Sequence, residues 1–436
     1  MTPNRRTVLV SALAVSVLLA LWARHAAQSP LEDTGAISRG MWRIAAADAL
    51  PDSDRSPGES ERLARQLSLP YASGLVRAPQ GFGVRAWDRE RAAPGLNLYL
   101  SAHAAEAILL AMDGTTLHRW RCPFERAFPG LEGAVDSYFF RRAALLANGD
   151  LVAIYQGGGI VRLDARSEIV WARPGTPFND LWVSPAEDRI LFPEKLARDR
   201  PDLRASGPIL EDWIVTLDGD GHEIGRVSLL AAFESSPYRS LLEPLGETAD
   251  ILHTNTIAVL ADPVPADLPF AAGDWLISLR EVDVVAVLAA GGHEVRWAQR
   301  GPWHRQHEPS LLADGTILLF DNRGAGEGRS RVVTVDPRSG RLETLWPPEG
   351  ISLDSQQMGS VARLANGDLL VVESEHGYAR EISPQGEVVW EFLSPHRAGA
   401  RSELVAVLAD LVRLTPTTPF LEPFAGAASG SGDQAP

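Results

Sequence analysis

The chain has 436 residues, 45% hydrophobic and 22% charged, and its 41 basic against 56 acidic side chains leave a net charge of −15. That acidity argues against a nucleic-acid reader, which needs a clustered basic face. The single cysteine, Cys122, excludes an internal disulfide framework and a cysteine-built metal cluster.

Arg5 and Arg6 precede an apolar run from Thr7 to Ala23, which Arg24 and His25 close. Charge followed by an apolar run is the layout of an export signal, and no small-x-small cleavage site follows. Residues 1–27 are therefore expected to be a signal anchor, or a signal peptide if cleaved. As an anchor the segment crosses the membrane once, leaving Arg5 and Arg6 in the cytoplasm and the rest on the periplasmic face of the inner membrane. Residues 28–90 read as a linker, rich in Pro, Asp, Ser and Gly from Pro51 to Glu61, with short helices around Met41–Leu50 and Ser60–Leu67.

Beyond this linker, short β-rich runs recur. A strand, an Asp-centred turn and a second strand ending in Trp occur at Leu110–Trp120 and at Val161–Trp171. The unit returns without its Trp at Ile214–Val227, and three more copies end at Trp297, Trp346 and Trp390. Asp218-Gly-Asp-Gly221 falls at the turn of one copy and so reads as a turn, not a calcium loop. A second hairpin, around Asn-Gly or Asp-Gly, precedes several copies at 145–153, 311–319 and 363–371. Two hairpins make a four-stranded blade, and a period of roughly 40 to 60 residues is that of a propeller. The fold expected is all-β, a six-bladed β-propeller over 91–393 behind the N-terminal transmembrane helix. Residues 394–436 are expected to hold a short helix around Ser402–Val412 and a disordered tail.

Chemistry in a propeller gathers where the innermost strands begin, around the central channel. Aligning the hairpins puts Arg141 in that slot of blade 2, Asn179 and Asp180 in blade 3, His253 in blade 4, His307 in blade 5 and Gly359 in blade 6. Two histidines at matched positions of neighbouring blades converge on one point. Strand alternation puts Asn255 on the face of His253 and sends His304 away from that of His307. His376 lies at a turn of blade 6; Arg323 and Arg331 are candidates for a positive rim; His103, His118, His222 and His293 read as surface residues.

The stretches His253-Thr-Asn255, Ile277-Ser-Leu-Arg280, Gln306-His-Glu-Pro309, Leu319-Phe-Asp-Asn322, Ser330-Arg-Val332 and Gly359–Asp368, in this order, resemble the bacterial arylsulfotransferases, six-bladed propellers of extracytoplasmic compartments. The resemblance runs from about Leu96 to Phe392 and into Ser394-Pro-His-Arg397. It implies transfer of a sulfuryl group from an aryl sulfate to a phenol through a sulfohistidine, with no nucleotide sulfate donor and no cofactor. By resemblance His307 is the nucleophile, and His253, Asn255 and Arg280 are its supporting catalytic residues. His253 would protonate the leaving phenolate and later deprotonate the acceptor, and Arg280 would hold sulfuryl oxygens with its planar fork. Arg141, Asn179, Asp180, Arg331 and His376 are the expected substrate-binding residues. The family's further histidine, often within a His-His-Asp sequence, is replaced here by Phe178-Asn179-Asp180.

Three other readings fit less of the pattern. A non-catalytic envelope propeller binding a ligand or protein would suit the missing histidine but not the retained set. A metal held by the two histidines and Asp180 is opposed by Arg280. A quinone-dependent dehydrogenase propeller would call for eight blades and paired cysteines.

Overall fold

Runs such as Leu151-Val-Ala-Ile-Tyr155 and Val284-Val-Ala-Val-Leu288 are apolar at every position, as strands are when both faces are covered. The computed structural model describes residues 43–44, 76–131, 139–205, 207–243, 245, 248–324, 329–398 and 402–429. In it these runs are the second and third strands of six antiparallel blades, each run sandwiched between neighbouring blades and fully buried. The interblade cores mix residues of two sheets; Val152, Ile154 and Ile160 of one pack with Ile190, Phe192 and Val215 of the next. Each such side chain contributes about 1.5–3 kcal/mol on burial.

The innermost strands are Leu408–Leu414 (blade 1), Arg142–Leu145 (blade 2), Trp182–Val183 (blade 3), Thr254–Val259 (blade 4), His307–Leu311 (blade 5) and Ser360–Arg363 (blade 6). Blade 6 carries a fifth strand, Gly83–Trp87, on its outer edge. Three of the blade-ending tryptophans lock neighbours together. Trp120 Nε1 donates to the Gly149 carbonyl of blade 2 at 2.9 Å, Trp171 to Gly219 of blade 3 at 3.1 Å, and Trp390 to Met112 of blade 1 at 2.9 Å. Gly149 stands at φ +91°, and a Cβ there would meet the Phe420 ring at 2.4 Å.

Three expectations for the chain ends are corrected. The helix expected around Ser402–Val412 is instead strand: Leu408–Leu414 pairs antiparallel with Leu96–Ser101, from Leu408↔Ser101 to Leu414↔Leu96. Its apolar spacing suits a helix locally, but as a strand it satisfies the open edge of blade 1 and closes the ring. Within the tail expected to be disordered, Ala425–Ser429 forms a short helix. Of the helix expected at Met41–Leu50, the described Arg43–Ile44 is a strand paired with His396 and Arg397. The rest of that segment, the helix at Ser60–Leu67 and the apolar run Thr7–Ala23 lie outside the described residues. Among the described residues no helix is long and apolar enough to cross a membrane.

One side chain demonstrates that the first strands surround an axis. Arg142 of blade 2 donates through Nε to Asp180 ahead of blade 3 (2.7 Å), through Nη1 to Asp410 of blade 1 (2.5 Å), and through Nη2 to Glu308 of blade 5. A single guanidinium reaches four blades only at the centre of the ring.

Candidate functional site

Several side chains at the entrances to the inner strands sit on left-handed backbone: Asn179 (φ +60°), His253 (+54°), Arg305 (+56°) and Glu308 (+51°). Such conformations cost about 1–3 kcal/mol each and cluster where a fold re-aims side chains for function. His253 therefore precedes its strand rather than continuing it, and the ladder is irregular between Thr254 and Thr256. Simple alternation fails here. Asn255 turns to donate through Nδ2 to the Gln306 carbonyl at 2.7 Å, bracing the peptide that leads into His307. It is a positioning residue, not a partner of the His253 ring.

His253 Nδ1 lies 2.6 Å from Asp250 Oδ2, and its Nε2 lies 3.3 Å from Arg280 Nη1. Arginine only donates, so Nε2 accepts and the ring proton resides on Nδ1, donated to the carboxylate. Asp250 also binds the Lys195 ammonium, which lies 3.7 Å from the centre of the Phe178 ring, and Phe178 meets His253 edge to face at 5.0 Å. Burial and the nearby Lys195 charge push His253 down to about 3, against the pull of Asp250. Burial alone would raise Asp250; His253 and Lys195 outweigh it and hold the carboxyl below its usual range.

His307 is settled by an amide. Asn322 Nδ2 donates to the carbonyls of Ser355 (2.5 Å) and Met358 (2.8 Å), so its Oδ1 must face His307. His307 Nδ1 lies 2.7 Å from that oxygen and 3.0 Å from the Arg305 carbonyl. Two acceptors at Nδ1 demand a proton there and leave Nε2 with its lone pair. Burial, then the Arg280 charge, hold His307 well below the ordinary histidine value, with Arg141 and His253 adding to the effect. Both imidazoles are neutral, and both present a bare nitrogen.

Arg280 is buried, reaches Gln357 Oε1 at 2.7 Å and Glu281 Oε1 at 3.1 Å, and has an Nε with no hydrogen-bond partner. Asn179 is 5% exposed, and its Nδ2 is likewise without a partner. Arg141 is buried on the axis, donating to the Ala409 carbonyl at 3.3 Å, and its charge bears on His307. Spare donors and guanidinium charge surround two neutral imidazoles, which is the environment a small oxyanion requires.

Three expected binding residues are otherwise engaged. Asp180 accepts at Oδ1 from Arg142 and the Leu181 amide and at Oδ2 from the Ile257 amide, so it braces blades 2, 3 and 4. Arg331 lies on the third strand of blade 5, donating to Asp321 (2.8 Å) and the Pro302 carbonyl (2.9 Å). His376 props the loop bearing Gln357 through the Asp354 carbonyl at 2.8 Å. His304 pairs with Asp283 on an exposed rim, and Arg323 keeps a buried Nε without a partner. Sequence reasoning assigned no role to Asp250, Lys195, Asn322 or Gln357. Asp250 could have been noticed three residues before His253, and Asn322 within the Leu319–Asn322 stretch.

His103 is not a surface residue. It is buried beside Glu106 and His396, the one group among the described residues whose ligand atoms gather within 4.8 Å as a metal would need. The rings of His103 and His396 stack with centroids 3.2 Å apart, and Arg119 reaches the Glu106 oxygen that faces His103.

Fold and site together define a six-bladed propeller that gathers two neutral histidines and the guanidinium of Arg280 at the entrances to its inner strands. Residues 201–396, just short of half the chain, match the family model described as "Arylsulfotransferase (ASST)", and this part of the chain is arylsulfotransferase-like. It contains His253, Asn255, Arg280 and His307, whereas Arg141, Asn179 and Asp180 precede it. No curated protein matches the chain. Among solved structures, it is similar to a protein of unknown function from Bacteroides caccae (14% identity, TM-score 0.45, 73% of this chain and 98% of that one). It is also similar to a streptogramin B lyase (10%, 0.43, 78% and 95%) and to a virginiamycin B lyase from Staphylococcus aureus (10%, 0.42, 75% and 99%). Likeness at this level says nothing about activity.

Proposed function

We propose that the protein transfers a sulfuryl group from an aryl sulfate to a phenol through a sulfohistidine on His307. The observation that carries this reading is the His307 tautomer: a neutral, buried imidazole whose Nδ1 proton is claimed by Asn322 and Arg305, leaving Nε2 as a nucleophile. Attack of Nε2 on sulfur forms the N–S bond as the S–O(aryl) bond breaks, and the phenolate leaves with the electron pair. The charge spread over the three sulfuryl oxygens would be met by Arg280, Arg141 and the Asn179 amide. Asn322 Oδ1 would stabilise the positive charge that the ring gains. The phenol then attacks sulfur and restores His307. As a further part of the reading, the chain works outside the cytoplasm, tethered by residues 1–27, as Arg5, Arg6 and the following apolar run support.

Intact-mass spectrometry after brief incubation with 4-nitrophenyl sulfate tests the transfer. A sulfuryl adduct that maps to His307, is discharged by added phenol and is missing from His307→Ala is the expected result. If several aryl sulfates yield neither adduct nor nitrophenolate, the enzyme reading fails. The site would then be that of a binding propeller, a reading favoured by Asn179 standing where the family places a histidine.

A further inference from the structure

We propose that this site accepts as donors the sulfate esters of acidic phenols only, because among the described residues it holds a base for the acceptor but no acid for the leaving group; this rests on the sulfuryl-transfer reading above. A leaving phenolate can be protonated only by a group that faces it with an exchangeable proton. His307 Nε2 is the nucleophile. His253 Nε2 carries a lone pair, because its ring proton is committed to Asp250 at 2.6 Å and Arg280 donates toward Nε2 at 3.3 Å. Asn179, where the resemblance would place another histidine, offers an amide N–H that can hydrogen-bond but not transfer. Arg141 and Arg280 keep their protons. Lys195 is pinned between Asp250 and the Phe178 ring and Glu281 is paired with Arg280 and Arg305, while Glu308, which burial raises to about 7, carries its carboxyl into the axial cluster of Arg142, Asp180 and Asp410. The low proton affinity of His253 agrees with the geometry.

The two half-reactions are therefore unequal. In the first, Nε2 of His307 bonds to sulfur and the aryl oxygen departs as a free phenolate, stabilised only by its own acidity. The sulfuryl group then draws the Arg280 Nη1 donor to its own oxygens, uncovering His253 Nε2. In the second, the acceptor oxygen bonds to sulfur, the N–S bond breaks, and the acceptor proton moves to His253 Nε2. The imidazolium formed is neutralised by Asp250 and then yields its proton to water. Asp250 is thus a positioning residue for the acceptor step: it fixes the tautomer and orientation of the base.

Rapid mixing of the full-length protein with a series of aryl sulfates, whose phenols range in pKa from about 5 to 10, separates the steps: a burst of phenolate reports the donor step, and turnover with phenol reports the acceptor step. The donor rate should fall by about three-fold or more for each unit of leaving-group pKa across the whole series, with no solvent deuterium effect. Asp250→Asn should slow the acceptor step at least about ten-fold more than the donor step, a ratio that a merely loosened fold would not move. A donor rate indifferent to leaving-group pKa, or slowed about two-fold in deuterium oxide, would mean that the leaving oxygen is protonated and would overturn the proposal. Absence of a burst and of any adduct with the ester of the most acidic phenol would overturn the transfer reading, and this proposal with it.

Discussion

Replacing Arg142 by methionine should open the propeller at its axis. The guanidinium is bonded to Asp180, Asp410 and Glu308, whose side chains are 6%, 5% and 23% exposed. Methionine fills much of the volume but leaves three carboxylates facing one another, with Arg141 the nearest cation. Removing one partner of a buried charge network costs about 3–5 kcal/mol, mostly the penalty of the charge left behind. A domain of this size loses about 2 °C of Tm per kcal/mol, so the expected drop is about 6–10 °C. The direction of its pH dependence is also determined. Burial already pushes Glu308 up to about 7 against the pull of Arg142, and removing that cation drives it higher. A carboxyl raised in the folded state is relieved of its penalty below its unfolded value of about 4.3, and that relief is lost as pH rises through the folded value. The deficit of the variant should therefore be largest near pH 8 and shrink toward pH 5. Calorimetry of both proteins at the two pH values decides it: a loss under about 2 °C, or a deficit that grows on acidification, would refute the axial charge argument.

Two further outcomes follow from the same geometry. Because His307 and His253 are both held below the ordinary histidine value, loading of His307 by an aryl sulfate should be independent of pH between about 5 and 8; a rate that climbs with a midpoint near 6.5, read from nitrophenolate release, would show the ring to be unperturbed. Ending the chain at Ala406 removes the strand Leu408–Leu414 together with Asp410, leaving Leu96–Ser101 as a bare edge. That protein should lack a cooperative melting transition, and a transition within about 2 °C of the intact chain would count against ring closure by this strand.

The repeat carries most of the fold on its face. Asn-Gly and Asp-Gly turns, runs apolar at every position and blade-ending tryptophans are all local signals, and they suffice for six blades in the right order. The same alignment located the start of the inner strand in blades 2 to 6, which is why Arg141, Asn179, His253 and His307 are legible in the sequence. Closure of the ring was not legible. Leu408–Leu414 is separated by some 300 residues from its partner, and its apolar spacing serves a helix as well as a strand until an open edge is there to receive it.

Chemistry divides along the same line. Residue type and spacing along the chain are enough to place two histidines at matched positions of neighbouring blades, and the family resemblance adds Arg280 to them. Which nitrogen carries each proton is another matter, because it depends on neighbours supplied by other segments: Asp250 across a turn from His253, and Asn322 held by Ser355 and Met358 from the loop before blade 6. Strand alternation misread Asn255 because left-handed backbone at His253 and an irregular ladder break the two-residue period. Arg331 and Asp180 looked like anion- and substrate-binding groups by type, yet each is consumed by a partner that only the folded ring brings near. Position along the strand is a local property; protonation state and free valence are properties of the packed neighbourhood.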